Sequence, residues 1–285
     1  MKKIVVTGAN GQLGKCLRDV ASNFPQFDNH FVDRAVLNID DPGSVSEFFE
    51  SNQFDICINT AAYTNVEKAE SEQEAAFKTN AEGVKNLAKA CSAQGTTLIH
   101  ISTDYVFDGT KQTPYKEADA VNPINAYGAS KLQGEEHIQD ICEQFFILRT
   151  SWLYSQYGHN FLNSMLRFAA EGRDLTITTE QVGAPTNAND LAEAIYTMIE
   201  SGKEDYGLYH FSNLGRATWY DFAEAIFKCS GQLESVKLAK TAHYSTFAKR
   251  PAFSILDTRK FSETFQFELK PWDQSLCDLI ENHKK

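Results

Sequence analysis

The chain has 285 residues, of which 42% are hydrophobic and 23% charged, an ordinary globular composition that can bury a core without disulfide or metal staples. Its net charge of −11, from 27 basic and 38 acidic residues, argues against binding to nucleic acid or to an anionic membrane surface. An anionic small molecule remains compatible with this balance if a few basic side chains converge locally.

The first half of the chain alternates short apolar runs with longer segments of helical periodicity. Short apolar runs are typical of buried parallel strands, which we predict over 4–7, 30–33, 54–59, 97–101 and 145–150. Helices are predicted between them over 11–22, 42–51, 69–93 and 126–143. This alternation predicts an α/β fold with a doubly wound parallel sheet of the Rossmann type and helices on both faces.

After about residue 152 the alternation weakens, although helical periodicity continues over 160–171, 188–201, 218–229 and 272–282. We therefore predict a dinucleotide-binding domain over 1–151 and a smaller mixed α/β region over 152–285 that mainly binds substrate. This prediction allows part of the second region to cross back and join the main sheet. The loop over 102–124 is rich in Asp, Gly and Pro, and its length indicates a functional segment.

The N-terminal apolar run, the histidines and the cysteines indicate the cellular location and the absence of a metal site. The apolar run Ile4-Val5-Val6 is too short for a signal peptide, and no stretch approaches the roughly 18 apolar residues of a membrane span. The seven histidines show no metal-ligand spacing, so we predict no metal. We expect a cytoplasmic protein, because the cysteines are scattered without a C-x-x-C pair and most are expected to be buried small hydrophobic residues: Cys16, Cys57, Cys91, Cys142, Cys229 and Cys277.

Gly8, Gly11 and Gly14 form a G-x-x-G-x-x-G loop between the first predicted strand and helix. Such a loop lets the backbone approach a pyrophosphate, which the helix N-terminus attracts. Asp33 lies 19 residues after Gly14, where a carboxylate accepts hydrogen bonds from the adenosine ribose of NAD. A solvated acid at a strand end is the alternative for Asp33. Since Arg34 could instead pair with a 2′-phosphate, NADH and NADPH both remain open.

Tyr127 and Lys131 form a Y-x-x-x-K pair at the start of a predicted helix. Residues four apart share a helical face, so both side chains can point at one ligand. Delivery of hydride to a ketone creates an alkoxide that needs a proton donor, and a nearby cation lowers the pKa of a phenol. Such a pair also occurs by chance, but here it follows a dinucleotide loop. Thr103, at a strand end, is suited to bond the substrate carbonyl; capping of the strand-to-loop turn is its alternative.

Together these motifs resemble the extended short-chain dehydrogenases/reductases, and more narrowly the dTDP-4-dehydrorhamnose reductase family. The resemblance runs along nearly the whole chain. Its most specific parts are the STDYVFDG run, the TSWLY run and the RPxxSxLDTxKF tail. The matching segments are TGANGQLG at 7–14, NTAAYTNVEKAE at 59–70, ISTDYVFDG at 101–109, NAYGASKLQGE at 125–135, LRTSWLY at 148–154, QVGAPT at 181–186 and RPAFSILDTRKF at 250–261.

The resemblance implies NAD(P)H-dependent reduction of the C4 ketone of dTDP-4-dehydro-β-L-rhamnose to dTDP-L-rhamnose, a precursor of cell-surface polysaccharide. It also implies a homodimer. Tyr127 would be the proton donor, assisted by Lys131 and tuned by Thr103. At Asn38 many members of the family have an acidic residue, so the adenine pocket is expected to differ in detail. The implied cofactor contacts are Gly8, Asn10, Gly11, Gln12, Leu13, Asp33, Asn38, Ile39, Ala62, Tyr63, Thr64, Tyr127 and Lys131.

The resemblance also implies a set of substrate contacts. Thr103, Asp104 and Trp152 would touch the sugar, with Val66 lining its pocket. Arg250 is the candidate for the substrate diphosphate, because a guanidinium suits bidentate phosphate contact. Core packing is the alternative for Trp152 and surface solvation the alternative for Arg250. Asn80 is expected to support the active site.

Three other activities are carried by similar chains. A 4,6-dehydratase follows its strand-end Thr with Asp-Glu, whereas here Thr103 is followed by Asp104 and Tyr105. An epimerase would retain tightly bound NAD. The regulatory β-subunit of methionine adenosyltransferase binds NADP without reducing a sugar. What favours the reductase is the joint retention of the residues that serve cofactor, acid and substrate: Thr103, Tyr127, Lys131, Trp152 and Arg250.

Overall fold

A computed structural model describes residues 1–282. In the first half, the strands are β1 (Lys2–Thr7), β2 (Phe27–Phe31), β3 (Ile56–Asn59), β4 (Thr97–Thr103) and β5 (Phe145–Thr150). The helices are α1 (Gln12–Val20), α2 (Pro42–Ser51), α3 (Val66–Ala69), α4 (Gln73–Phe77), α5 (Val84–Gln94) and α6 (Ala126–Ile141). A π-helical segment, Lys78–Gly83, joins α4 to α5, and a 3₁₀ turn, Asp104–Val106, follows β4.

The second half contains short strands and longer helices. The strands are β6 (Leu153–Tyr154), β7 (Leu175–Thr178), β8 (Val182–Gly183), β9 (Thr186–Asn187), β10 (Gly207–His210), β11 (Ala217–Thr218) and β12 (Leu238–Thr241). The helices are α7 (Phe161–Ala170), α8 (Ala188–Glu200), α9 (Trp219–Ser230), α10 (Arg259–Phe265) and α11 (Trp272–Asn282). Of the predicted region 152–285, the last three residues lie outside the described part.

The main sheet has six strands in the order β10-β5-β4-β3-β1-β2, all parallel. This confirms the predicted doubly wound parallel sheet. The strand order reverses between β1 and β3, so a crevice opens there at the carboxyl ends of the strands. The loops after β1, β3 and β4, which carry the predicted site residues, therefore meet at one edge of the sheet.

Two apolar layers cover the faces of this sheet. On one face α1, α8 and α10 bury side chains such as Leu17, Ile195 and Phe261 against the strands. On the other face α2, α5 and α6 do the same with Phe49, Leu87 and Ile138. Each fully buried side chain of this size stabilises the fold by roughly 1.5–3 kcal/mol. The sheet is therefore a rigid base for its carboxyl edge.

The structure differs from the predicted elements in three places. β2 ends at Phe31, so Asp33 lies in the following loop and not at the strand end. The predicted helix over 69–93 is divided into shorter helices, because the backbone at Glu72 leaves the helical conformation and residues 78–83 form a π-helical segment. β10 was not predicted; it brings the chain back to the sheet beside β5.

Cys229 and Cys277 form a disulfide, which the sequence interpretation did not foresee. The two residues are 48 apart in sequence but their Cα atoms are 5.1 Å apart, because α9 packs against α11. The spacing of cysteines along the chain carries no information on this packing. The other four cysteines are free and buried, as predicted.

The described residues show neither a membrane-spanning helix nor a cluster of metal ligands. Within residues 1–282, no helix is both long enough and apolar enough to cross a membrane. The same residues contain no group of three or more His, Cys, Asp or Glu side chains placed to hold a metal ion. The expectation of a metal-free protein stays a prediction.

Candidate active site

The glycine loop after β1 leaves no room for side chains. Gly8 has a φ of +66°, and a Cβ there would lie 2.6 Å from the backbone nitrogen of Ala61. A Cβ on Gly14 would lie 2.6 Å from the carbonyl oxygen of Gly8. No side chain caps the N-terminus of α1, where Gly11 is the N-cap residue. The backbone N–H groups of this helix end are therefore open toward the crevice, as a pyrophosphate site requires.

Asp33 borders a cavity of about 390 Å³ beside the glycine loop. One carboxylate oxygen accepts from the backbone N–H of Ala35 at 2.9 Å, and the other accepts from the side-chain amide of Asn10 at 3.0 Å. Arg34 is exposed and pairs with Asp40 at 2.7 Å. Both an anion and a cation therefore stand at this cavity, which is compatible with either a free ribose or a 2′-phosphate. Its lining also includes Gly8, Gly11, Asn38, Ile39 and Ala62.

Tyr63 is the predicted cofactor residue that lines neither this cavity nor the larger one described below. Its hydroxyl donates to Glu72 at 2.6 Å. Asn80, which is fully buried, accepts from the Tyr63 backbone N–H at 2.8 Å and donates to the Ser130 hydroxyl at 3.0 Å. The π-helical segment thus turns the Asn80 amide inward, where it ties the loop after β3 to α6. Asn80 supports the site from behind.

The start of α6 lies against the turn after β4. Asn125 caps this helix by accepting from the Gly128 N–H at 2.7 Å. A Cβ on Gly128 would lie 2.2 Å from the carbonyl oxygen of Tyr105, so only glycine permits this approach. The approach places the Tyr127 ring against the Tyr105 ring, with centroids 5.9 Å apart, and brings the phenol near the Thr103 side chain. Burial raises the pKa of Tyr127, and the nearby Thr103 hydroxyl acts in the opposite direction.

Lys131 lies one turn further along α6 and is only 2% exposed. Its Nζ donates to the carbonyl oxygen of Ile101 at 2.7 Å and lies 3.2 Å from Nε2 of His100. Burial lowers the pKa of Lys131 to about 8, against a smaller opposing effect of the Glu135 carboxylate. The lysine therefore sits beneath the crevice in contact with β4. An effect of Lys131 on the Tyr127 pKa remains a prediction.

Asp104 is buried at the end of β4, with 2% exposure. One of its oxygens accepts from the Thr103 hydroxyl at 3.1 Å, while its Oδ2 is buried without a hydrogen-bond partner among the described residues. Burial raises the pKa of Asp104 to about 7, although hydrogen bonds from Ser254 and Thr103 lower it. An unpaired buried carboxylate oxygen beside the crevice is suited to accept a hydrogen bond from a hydroxyl group of a ligand.

Trp152 has a positive φ of 44°, an uncommon conformation for a bulky residue. Its indole stacks on Trp219 with ring centroids 3.7 Å apart and lies against Gly183, where a Cβ would be 2.5 Å from Cε2 of the indole. Trp219 is held by a hydrogen bond from its Nε1 to Gln181 at 2.9 Å. The indole pair lines the cavity at the crevice and also packs against an apolar cluster, so the sugar contact of Trp152 stays a prediction.

Arg250 reaches the same crevice from the C-terminal region. Its Nη2 donates to Glu67 at 2.7 Å, and its Nε is buried without a hydrogen-bond partner among the described residues. Glu67 also accepts from the backbone N–H groups of Phe247 and Ala248. The guanidinium is thus held in place while one of its N–H groups stays available to an anion.

One cavity of about 640 Å³ brings the predicted catalytic and substrate residues together with part of the glycine loop. A neighbouring cavity of about 590 Å³ shares Arg250, Phe161 and Trp219 with it. The predicted residues that line the first cavity are Asn10, Gly11, Gln12, Leu13, Ala62, Thr64, Val66, Thr103, Asp104, Tyr127, Lys131, Trp152 and Arg250.

Several residues on these walls were missed by sequence reasoning. Phe161 and Trp219 each follow a helix cap, Asn160 and Thr218, so both helices start at the crevice. The signal available in the sequence was an aromatic residue directly after a capping residue. Other missed lining residues are His159, Phe168, Gln181 and Tyr244.

A dinucleotide fits the residues present. The glycine loop is a cradle that any Cβ at Gly8 would obstruct, and it lies between the Asp33 cavity and the larger cavity. The loop would hold the pyrophosphate, with the adenosine half toward Asp33 and the nicotinamide half toward Tyr127 and Lys131.

Comparisons with known proteins agree along the entire chain. The family model described as the RmlD substrate binding domain matches residues 1–285. The dTDP-4-dehydrorhamnose reductase of Aggregatibacter actinomycetemcomitans is 38% identical, with 98% of each chain covered, and that of Escherichia coli K12 is 40% identical, covering 97% of this chain and 96% of that protein. A crystal structure of dTDP-4-dehydrorhamnose reductase from Bacillus anthracis in complex with NADP is 35% identical, superposes with a TM-score of 0.94 and covers 99% of both chains.

Proposed function

The chain belongs to the RmlD substrate binding domain family, and from that premise we propose that it is an NAD(P)H-dependent reductase of dTDP-4-dehydro-β-L-rhamnose. The product would be dTDP-L-rhamnose. The observation that carries this proposal is the single cavity that joins the glycine loop to Tyr127, Thr103, Trp152 and Arg250. A dehydratase would need a carboxylate after Asp104, and Tyr105 stands there.

Tyr127 is the proposed general acid. When bound, the nicotinamide supplies hydride to the C4 carbon of the sugar. Tyr127 protonates the oxygen that becomes an alkoxide, a contribution worth roughly 10²–10⁴-fold in general acid catalysis. Thr103, which lines the same cavity as the phenol, orients the carbonyl oxygen. Lys131 lies one helical turn away and, in its ammonium form, supplies positive charge that stabilises the phenolate.

Different parts of the substrate bind in the two cavities. The sugar binds in the first cavity against Asp104 and Trp152, and Asp104 accepts hydrogen bonds from the sugar hydroxyl groups. Arg250, which lines both cavities, binds the diphosphate. The base enters the neighbouring cavity, whose lining includes Phe168 and Tyr244 and offers apolar and aromatic surface.

The finer assignments are supported by the family resemblance. These are a division at residues 151 and 152 into a cofactor domain and a mainly substrate-binding region, a homodimer, and a cytoplasmic location. Either NADPH or NADH is accepted in this proposal, because Asp33 and Arg34 both border the adenosine cavity.

The test is oxidation of NADPH and NADH by the purified protein with enzymatically prepared dTDP-4-dehydro-β-L-rhamnose. Substrate-dependent loss of absorbance at the nicotinamide band supports the proposal and ranks the two cofactors. The same reaction without the sugar nucleotide is the control. Absence of turnover in protein that binds NADPH would reject this substrate, and failure with other 4-keto sugars would favour a regulatory role.

A further inference from the structure

His100 is a buried histidine on β4 that lies behind the proposed active site and has no part in the reaction as described. Its exposure is 0%. Its Nε2 lies 3.2 Å from Nζ of Lys131, and its Nδ1 lies 3.0 Å from Nδ2 of Asn59. Both ring nitrogens are therefore occupied by side chains at hydrogen-bond distance. The position of the ring proton follows from the bonds of Asn59.

The orientation of the Asn59 amide is determined by its backbone neighbour. Oδ1 of Asn59 accepts from the backbone N–H of Ala61 at 3.1 Å and from the Thr7 hydroxyl at 2.7 Å. A backbone N–H can only donate, so the amide oxygen must face Ala61 and the amide nitrogen must face His100. Nδ1 of His100 then accepts a hydrogen bond, and a neutral ring carries its proton on Nε2.

This tautomer presents a donor to Lys131. An ammonium group has three N–H donors and no lone pair, so it would place a donor against the Nε2–H of His100. A neutral amine can accept from Nε2–H with its lone pair and still donate to the carbonyl of Ile101. The hydrogen bonds around Lys131 are thus satisfied in the amine form and conflict in the ammonium form.

We propose that His100 is a positioning residue for Lys131: it holds an N–H group against the lysine nitrogen and so favours the amine over the ammonium. The mechanistic meaning of this contact rests on the proposed function. After Tyr127 has given its proton to the alkoxide, the Lys131 ammonium passes a proton to the phenolate, the lysine becomes the amine that His100 favours, and solvent returns a proton to that amine; a permanent ammonium would supply only a fixed charge. Burial acts in the same direction, since it lowers the pKa values of both Lys131 and His100.

Other charges around α6 oppose or modify this effect. Glu135, one turn after Lys131, raises the pKa of the lysine, but its carboxylate is paired with Arg149 at 2.6 Å. Because Arg149 neutralises much of the Glu135 charge, Glu135 stabilises the Lys131 ammonium only in part. The remaining titratable groups on the helix or on the elements packed against it are Tyr127, Glu136, His137 and Asp140 on α6, Asp104 and Tyr105 in the turn after β4, Glu67 and Lys68 on α3, Glu74 on α4, Lys78 and Glu82 in the π-helical segment, and Lys85, Lys89 and Cys91 on α5.

The ring tautomer is measured by ¹⁵N NMR of protein labelled uniformly with ¹³C and ¹⁵N, with the His100 ring signals assigned by through-bond correlation to the assigned backbone of the unaltered protein. We expect an unprotonated Nδ1 and a protonated Nε2 at neutral pH. A protonated Nδ1 would overturn the proposal. This measurement uses the unaltered protein and needs no turnover, so it decides the proposal even if the sugar nucleotide is not the substrate or the variant does not fold.

The effect on Lys131 is measured by the pH dependence of kcat in wild type, His100→Gln and His210→Gln. A glutamine at 100 can turn its carbonyl oxygen toward the lysine and accept from the ammonium, so the alkaline limb should move up by about one pH unit or more. His210 is an equally buried histidine that bonds the carbonyl of Tyr115, and its variant should keep the wild-type limb. Coincident limbs in wild type and an active His100→Gln would overturn the proposal.

Discussion

Replacement of Gly183 by alanine tests the indole wall of the sugar subsite without touching the proposed chemistry. The new Cβ would lie 2.5 Å from Cε2 of Trp152. Since carbon atoms rest about 3.5–4.0 Å apart, the indole must move by about 1 Å or more. The Trp152 indole cannot move away from the new Cβ freely, because it is stacked on Trp219 with ring planes 6° apart.

Overpacking of this kind costs roughly 1–3 kcal/mol. If that energy is expressed in substrate binding, kcat/KM for the sugar nucleotide should fall about 5- to 150-fold, since each 1.4 kcal/mol is a factor of ten. NADPH affinity should stay within about twofold, because the glycine loop is held by separate contacts. Initial rates and NADPH fluorescence titration measure the two effects.

Two further variants sharpen this experiment. Gly43→Ala is the matched control, because Gly43 is an exposed helical residue on α2 whose added Cβ would meet only the flexible side chain of Asp41 at 3.3 Å. Combining Gly183→Ala with Trp152→Phe replaces the indole that the Cβ would meet by a smaller ring, so the double variant should lose less than the two single effects predict. An unchanged kcat/KM in Gly183→Ala would refute the assignment of Trp152 to the sugar wall.

The remaining predictions concern the acid, the ribose contact and the buried carboxylate. Tyr127→Phe should lower kcat by roughly 10²–10⁴-fold with unchanged NADPH affinity, and undiminished turnover would reject the acid role. Asp33→Ala should weaken NADH binding more than NADPH binding in calorimetric titrations; equal losses would contradict a ribose contact. Because the pKa of Asp104 is raised to about 7, its stabilising protonated form is lost as pH rises through 7. Asp104→Asn should therefore raise Tm at pH 8 while weakening sugar binding, and should match wild-type Tm near pH 4; equal Tm values at both pH values would refute the shift.

Local signals carried the predictions that the structure confirms. The alternation of apolar runs and helical periodicity predicted the parallel sheet because a buried strand and an amphipathic helix each require a pattern within a few residues. Gly8 and Gly14 were recognised for the same reason, since a tight turn next to β3 excludes side chains at those positions. The role of Tyr127 and Lys131 remains a prediction, but their placement in one cavity follows from their spacing on α6.

Element boundaries and long-range partners were predicted poorly. The predicted helix over 69–93 is interrupted because Asn80 must turn inward to bond Tyr63 and Ser130, a requirement set by residues far away in sequence. β10 was missed because a strand of four residues is too short to show a pattern in the sequence. Its extended conformation depends on pairing with β5. The cofactor contact of Tyr63 stays a prediction; in the structure its hydroxyl donates to Glu72 at 2.6 Å, a bond that the sequence did not indicate.

The sequence by itself determined the fold class, the dinucleotide loop and the residues at the carboxyl edge of the sheet, because each depends on short-range geometry. Only the tertiary structure decided that Trp219 stacks on Trp152, that Cys229 meets Cys277, and that Nε2 of His100 lies 3.2 Å from Nζ of Lys131. These contacts join residues from separate elements, and their geometry depends on how whole helices and strands pack. That packing is set by the summed burial of the apolar layers, to which no single motif corresponds.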